Sequence, residues 1–235
     1  GQRGKQALRV DAGSKQFVTL PNSADLNHKD GLSFSLFYLS LHELDDNASH
    51  GIVAKRRTGD NAVTNYGINY NPKADNYQVY VNAGDGYRIA HYSVRDVIGA
   101  RKRVFLTATF EAADAPAPDE DGARDDVLIR LFVNGKLATP SKVNQGQLAG
   151  SDAWLTDVDL TATLNDVPLT LGATNAEGEF TSAVIDEFSL FPRALSPVEA
   201  AMLFVEVGGP DVVQLAEQDD KVRPQPAGPA ITATY

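Results

Sequence analysis

The stretch GLSFSLFYLSL at 31–41 constrains this fold more than any other part of the chain. Leu32, Phe34, Leu36 and Tyr38 occupy every second position, against Ser33, Ser35 and Phe37. That is the period of a strand with one apolar face; a helix needs apolar spacings of three and four. Shorter runs rich in β-branched and aromatic residues follow the same logic at 7–10, 16–20, 51–55, 66–71, 77–82, 87–93, 104–111, 127–133, 169–173 and 183–190. Turn-forming residues separate them: Asp11-Ala12-Gly13-Ser14 lies between the first two, and Asn134-Gly135 follows LIRLFV as a two-residue hairpin turn. About eleven or twelve strands at roughly ten-residue spacing predict an all-β sandwich or jelly roll.

Composition narrows the function classes. Acidic residues outnumber basic ones, 31 to 21, for a net charge of −10. Proteins that grip phosphate backbones through bulk charge are basic, so nucleic acid is not an expected partner. The chain has no cysteine, which excludes disulfides, thiolate metal sites and a Cys nucleophile. No run approaches the length of a transmembrane helix, so no membrane insertion is expected.

One helix is predicted late in the chain. Ser196 is placed to cap it, Pro197 stands at its first position, and Glu199 completes a capping box. It should run to about Glu206 and stop at Gly208-Gly209, with Val198, Met202 and Val205 packed on the sandwich. The acidic, Pro-containing stretch at 112–126 reads as a solvated loop, and 141–166 as a polar insertion holding Trp154. Residues 1–6 read as a linker. The stretch 210–235 reads as a tail that wraps the domain or is partly disordered, with a short edge strand at 231–235.

Several segments, taken in order, resemble one family. ALRVDAGSKQFVTLP, GLSFSLFYLS, GIVAKR with NYGINY, VLIRLFVNGKLA, LTLGA and above all IDEFSLFPRALSPVE are similar to the successive strand motifs of laminin G-like domains. These belong to the concanavalin A-like lectin/glucanase superfamily. The resemblance runs from about Ala7 to Val207 and implies a domain at 7–209, a jelly-roll sandwich of two curved antiparallel sheets with one short C-terminal helix. The chain departs from the pattern at Phe37, where the family has Trp, at Ala183, where it has Gly, and in the length of the loop at 112–126.

The resemblance implies a groove on a concave sheet that takes an extended sugar chain within a larger extracellular or cell-envelope protein, beside neighbouring domains. Sugar rings stack on aromatic faces while amides bond their hydroxyls. The candidates are Tyr66, Tyr70, Tyr77, Tyr80, Tyr87, Tyr92 and Trp154, with His91, Asn65, Asn69, Asn71 and Asn82 alongside. Tyr also fills cores and decorates strands. The family further implies a structural calcium site with Asp186 as carboxylate ligand and Asp11 and Gly13 as carbonyl donors. Asp186 equally suits a sheet corner without metal. The cluster Asp25, Asn27, His28 and Asp30 reads as a solvated turn or a second ion site.

Catalysis is not expected. The superfamily's retaining glucanases carry E-x-D-x-x-E on one strand, placing two carboxylates on one face; the chain lacks it. None of His28, His42, His50 and His91 lies in a nucleophile motif. The leading reading is a non-catalytic polysaccharide-binding module. A structural or protein-interaction domain and a glycoside hydrolase or lyase without the usual motif stand as alternatives.

Overall fold

A computed structural model describes residues 7–57, 65–83, 86–93, 102–116, 122–158, 160, 165–175 and 178–211. The expected linker at 1–6, the tail from 212 onward and its edge strand lie outside these residues.

The first half of the chain forms β1 (Leu8–Val10), β2 (Val18–Leu20), β3 (Gly31–Ser40), β4 (His50–Lys55), β5 (Asn65–Asn71), β6 (Asn76–Ala83), β7 (Gly86–Ser93) and β8 (Val104–Ala113). The second half adds β9 (Asp126–Val133), β10 (Lys136–Leu137), β11 (Lys142–Asn144), β12 (Gly146–Ala149), β13 (Asp152–Leu155), β14 (Leu169–Leu171), β15 (Ala183–Phe191) and the helix α1 (Pro197–Glu206). One antiparallel sheet runs β1-β15-β3-β8-β9-β13-β12, with β10 joined to β9; the other runs β11-β7-β6-β5-β4-β14-β2. The two make a sandwich, the all-β jelly-roll architecture expected. Asn134 and Gly135 take φ of 52° and 73°, the left-handed pair that turns β9 tightly into β10.

Strand alternation decides what lies between the sheets. Leu32, Phe34, Leu36 and Tyr38 of β3 point inward, as do Leu106, Ala108 and Phe110 of β8. They meet Tyr66, Ile68 and Tyr70 of β5 and Tyr77, Val79 and Val81 of β6. Aromatic contacts cross the gap: Tyr66 to Phe110 at 5.9 Å, and Tyr38 to Tyr70 and Tyr77 at 5.9 and 6.3 Å between ring centres. Truncating a buried ring of this size costs about 3–5 kcal/mol.

The polar insertion at 141–166 is not a plain loop. It carries β11, β12 and β13, three strands of three or four residues each. Their local signal is weak. β13 exists because β9 offers it a hydrogen-bonding edge, with Ala153, Trp154 and Leu155 opposite Ile129, Leu128 and Val127. Asp126 anchors the long loop before β9: its buried carboxylate accepts from the Ala115 and Asp157 N–H groups at 2.7 and 2.9 Å.

Helix α1 starts as expected. Ser196 Oγ accepts from the Glu199 N–H, and the Glu199 carboxylate accepts from the Ser196 N–H at 2.9 Å. Arg193 donates two hydrogen bonds to the same carboxylate, the largest of the forces holding it down to about 2. The packed face is not the expected one. Val198, Met202 and Val205 are 64–68% exposed. Ala200 is buried instead, and the Phe204 ring lies 5.9 Å from Phe105 on the outer face of the eight-stranded sheet. The sequence PVEAAMLFVE is apolar on more than one arc, and the largest ring takes the contact.

Candidate functional site

Among the described residues the expected aromatic platform does not form. Tyr66, Tyr70, Tyr77 and Tyr92 are 0–4% exposed and point into the core. Their hydroxyls serve the interior: Tyr66 donates to the Leu26 carbonyl, Tyr92 to the Ile129 carbonyl, and Tyr70 to the Asp75 carboxylate at 2.7 Å. Burial pushes the Tyr66 and Tyr92 phenols well above their ordinary range. These residues are core fillers with a polar end, so stacking on a bound sugar is closed to them. Trp154 lies on β13 in the other sheet, half-buried. The side chain of Tyr87 lies outside the described residues.

Tyr80 alone of the described tyrosine candidates faces away from the core. It is 2% exposed and lies flat across Gly67 on β5: a Cβ there would fall 2.6 Å from Tyr80 Oη and 2.6 Å from the Val53 carbonyl oxygen. It therefore paves the outer face of the seven-stranded sheet.

That face carries amides. Register places Asn69 of β5, Gln78 of β6, His91 of β7 and Lys142 of β11 directly opposite one another, all outward. Asn71 and Asn76 form a second pair beside them, with Tyr80 and Ile89 on the other flank. Two segments wall the row. The β3–β4 loop supplies Ser49, which donates to Gln78 Oε1 at 3.2 Å, and the Asn47 carbonyl, which accepts from Asn71 Nδ2 at 2.8 Å. The β14–β15 connection crosses so closely over Gly51 that a Cβ there would collide with the Thr174 backbone. It brings the Glu179 carboxylate to Asn69 Nδ2, Arg56 and Thr174 Oγ1.

Two acceptors in the row have no partner. Asn69 Oδ1 is buried on a residue 7% exposed. His91 donates through Nδ1 to Asn76 Oδ1 at 3.2 Å, which leaves Nε2 with a lone pair, buried and unbonded. Desolvation, then the Lys142 charge, pulls His91 below the ordinary imidazole range and holds it neutral. Gln78 stands between the two, so they lie about 10 Å apart, two strand spacings. A buried acceptor left unsatisfied costs free energy and invites a ligand donor. Of the row, Asn69 and His91 were visible in the sequence as polar company to the tyrosines. Gln78, Ser49 and Glu179 carried no local signal; register and loop crossing bring them in.

The residues expected to hold calcium are not brought together. Val10 pairs with Ala183 and Leu8 with Ile185, so Asp11 and Asp186 lie at opposite ends of that ladder, about 13 Å apart. Asp186 Oδ2 accepts from Arg103 Nη2 at 2.9 Å. Asp11 closes its own turn, Oδ1 accepting from the Ser14 N–H at 2.7 Å and its carbonyl from the Gln16 N–H, and Gly13 sits within that turn. A cation needs several converging oxygens, and these three residues do not fit one. Of the solvated-turn cluster, Asn27 and His28 bond to neighbouring groups, Asn22, Ser23 and Asp25, as a turn requires.

Two antiparallel sheets packed face to face, with a polar row on one outer face, define a sandwich of the lectin type. The chain belongs to the laminin G-like family of the concanavalin A-like lectin/glucanases superfamily, whose model matches residues 12–201. No curated relative matches it by sequence. Solved structures share the fold at low identity. The CBM40 module of the Ruminococcus gnavus IT-sialidase, also solved bound to α2,3-sialyllactose, is 14% identical with a TM-score of 0.54, over 85% of this chain and 97% of that one. A structure of botulinum neurotoxin type C, whose cell entry depends on interaction with two ganglioside molecules, is 13% identical with a TM-score of 0.53, over 81% of this chain and 40% of that one. Among the described residues no helix is long and apolar enough to cross a membrane.

Proposed function

We propose that this domain is a non-catalytic binding module that holds a polysaccharide or oligosaccharide on the outer face of its seven-stranded sheet. The carrying observation is the row Asn69–Gln78–His91, with two buried neutral acceptors about 10 Å apart. Neutral lone pairs set among amides suit hydroxyl donors spread along a ligand. The solved neighbours include a module bound to a sialylated sugar, which supports a glycan as the ligand class. We infer an extracellular or cell-envelope setting from the same company.

The outward positions of this sheet also support binding without turnover. Among the described residues they are Thr19, Gly51, Ala54, Gly67, Asn69, Asn71, Asn76, Gln78, Tyr80, Ile89, His91, Ser93, Lys142, Asn144 and Thr170, none of them acidic. Two-carboxylate glycoside hydrolysis needs a pair of acids at the bond it cleaves. Glu179, arriving from the wall, is engaged by Arg56, Asn69 and Thr174.

A glycan array probed with the purified domain tests the proposal. Binding to at least one polysaccharide class is expected, lowered about tenfold or more by Asn69→Ala or Gln78→Ala, the loss of one or two hydrogen bonds. An array without hits, or hits indifferent to both substitutions, refutes it.

A further inference from the structure

A second cluster lies at the base of the two wall segments, away from the amide row. His42 and His50, both 8% exposed, stack with ring centres 3.5 Å apart and planes within 21° of parallel. Asp46, between them in sequence, faces both: its Oδ2 lies 3.2 Å from His42 Nδ1 and 2.8 Å from His50 Nε2. These three ligand-type atoms all fall within 4.8 Å of one another, the composition of a metal site.

The hydrogen bonds argue for protons instead. The Ser182 N–H donates to His42 Nε2 at 2.8 Å, and Thr181 Oγ1, itself bonded to Tyr38 Oη, lies 3.2 Å from the same nitrogen. His42 Nε2 is therefore an acceptor, and the ring's proton sits on Nδ1, facing Asp46 as a donor. A metal at Nδ1 would leave that ring with no proton at all. Stacked, nearly parallel rings also send their in-plane lone pairs alongside each other, not to a common point. His50 is the complement. Its Nδ1 lies 2.8 Å from the Phe180 carbonyl and its Nε2 faces a carboxylate, so both nitrogens meet acceptors. Only the doubly protonated ring satisfies both. One protonation state, neutral His42, charged His50 and ionised Asp46, makes every one of these bonds.

We propose that His42, Asp46 and His50 form a proton-operated latch that ties the β3–β4 loop to the β14–β15 connection, closed while His50 carries a proton on each nitrogen and released when it loses one. Loss of that proton leaves Nε2–H on the Asp46 carboxylate, the stronger acceptor, and sets the Nδ1 lone pair against the Phe180 carbonyl oxygen at 2.8 Å, the bond that joins the two segments. Among the described residues, these groups face the cluster. Asp11 approaches from the β1–β2 turn, Tyr38 acts through Thr181, and the β14–β15 connection contributes the Phe180 carbonyl, Thr181 and Ser182. The Ala48 N–H donates to Asp46 Oδ1 at 2.9 Å and keeps that carboxyl ionised below its ordinary range. Burial and the His50 charge hold His42 down to about 4, so the stack carries one positive charge and not two. The tied segments are those that wall the amide row, and the latch stands whether or not a glycan is the ligand there.

The test needs no ligand. Imidazole nitrogen NMR on the labelled domain should show His50 protonated on both nitrogens at pH near 5.5 and His42 as the Nδ1–H tautomer. Hydrogen exchange at the Gly51 and Ser182 amides, corrected for the intrinsic pH effect, should quicken about ten- to a hundredfold by pH 8, the worth of one charge-assisted hydrogen bond. His50→Gln, which keeps a donor toward Asp46 and does not titrate, should flatten that dependence. Corrected exchange equal at both pH values in the native domain overturns the latch, as does a His50 that keeps a lone pair on either nitrogen at pH 5.5. Zinc added alone should leave both rings unmoved. Shifted His42 and His50 resonances with slowed exchange would assign the cluster to a metal instead.

Discussion

Acid should weaken this domain through His42 in particular. The residue is 8% exposed, and burial, with the neighbouring His50 charge, lowers it from 6.5 to about 4. The folded protein thus binds that proton less readily than the unfolded chain. Stability owed to the neutral ring is complete above pH 6.5, declines as pH falls through the interval, and levels off below about 4. The gap corresponds to about 3 kcal/mol, a large share of a total that is about 5–15 kcal/mol for a folded domain. The structural cause is specific: a proton on His42 Nε2 would confront the Ser182 N–H, and a second cation would stand 3.5 Å from His50. Urea unfolding at several pH values from 4 to 7, followed by the fluorescence of the single tryptophan, Trp154, measures it. Carboxylates shared by both proteins cancel when the native domain is compared with His42→Gln. The native domain should lose about 3 kcal/mol more than the variant across that range. Parallel profiles would refute both the buried neutral ring and the bonding scheme built on it.

Two further outcomes follow from the packing. Changing Val198, Met202 and Val205 together to Gln should cost less than about 0.5 kcal/mol per position, because all three face solvent, whereas Phe204→Ala alone should cost about 2 kcal/mol or more; thermal melting separates the two faces. Asp186→Asn should cost about 1 kcal/mol or less, the worth of its part-exposed pair with Arg103, and millimolar calcium should shift the melting temperature of neither protein. A calcium-induced rise in the native domain that Asp186→Asn abolishes would restore that residue as a ligand.

Much of the architecture was legible in residue order. Period-two runs gave strands at 31–41, 104–111 and 127–133 almost to the residue, because there alternation and burial agree. The Ser196 capping box and the Asn134-Gly135 turn are local devices whose atoms lie within a few positions of one another, so sequence contains all they need. The packed face of α1 was not local: its helix is apolar on several sides, and only the presence of Phe105 and Gly135 beneath it selects Phe204. β11 to β13 were hidden for a similar reason, since a strand of three or four residues is made by the edge it joins.

What the sequence alone determined is the kind of object this is: alternation and turn chemistry are properties of neighbours along the chain, and they suffice for a two-sheet sandwich closed by a capped helix. Which face each tyrosine takes was decided only in three dimensions, because one step of register exchanges core for surface, and here it sent Tyr66, Tyr70, Tyr77 and Tyr92 inward and left Asn69, Gln78 and His91 outside. The same holds for His42, Asp46 and His50, whose bonding partners Phe180, Thr181 and Ser182 lie more than a hundred residues away and meet them only when the two wall segments cross.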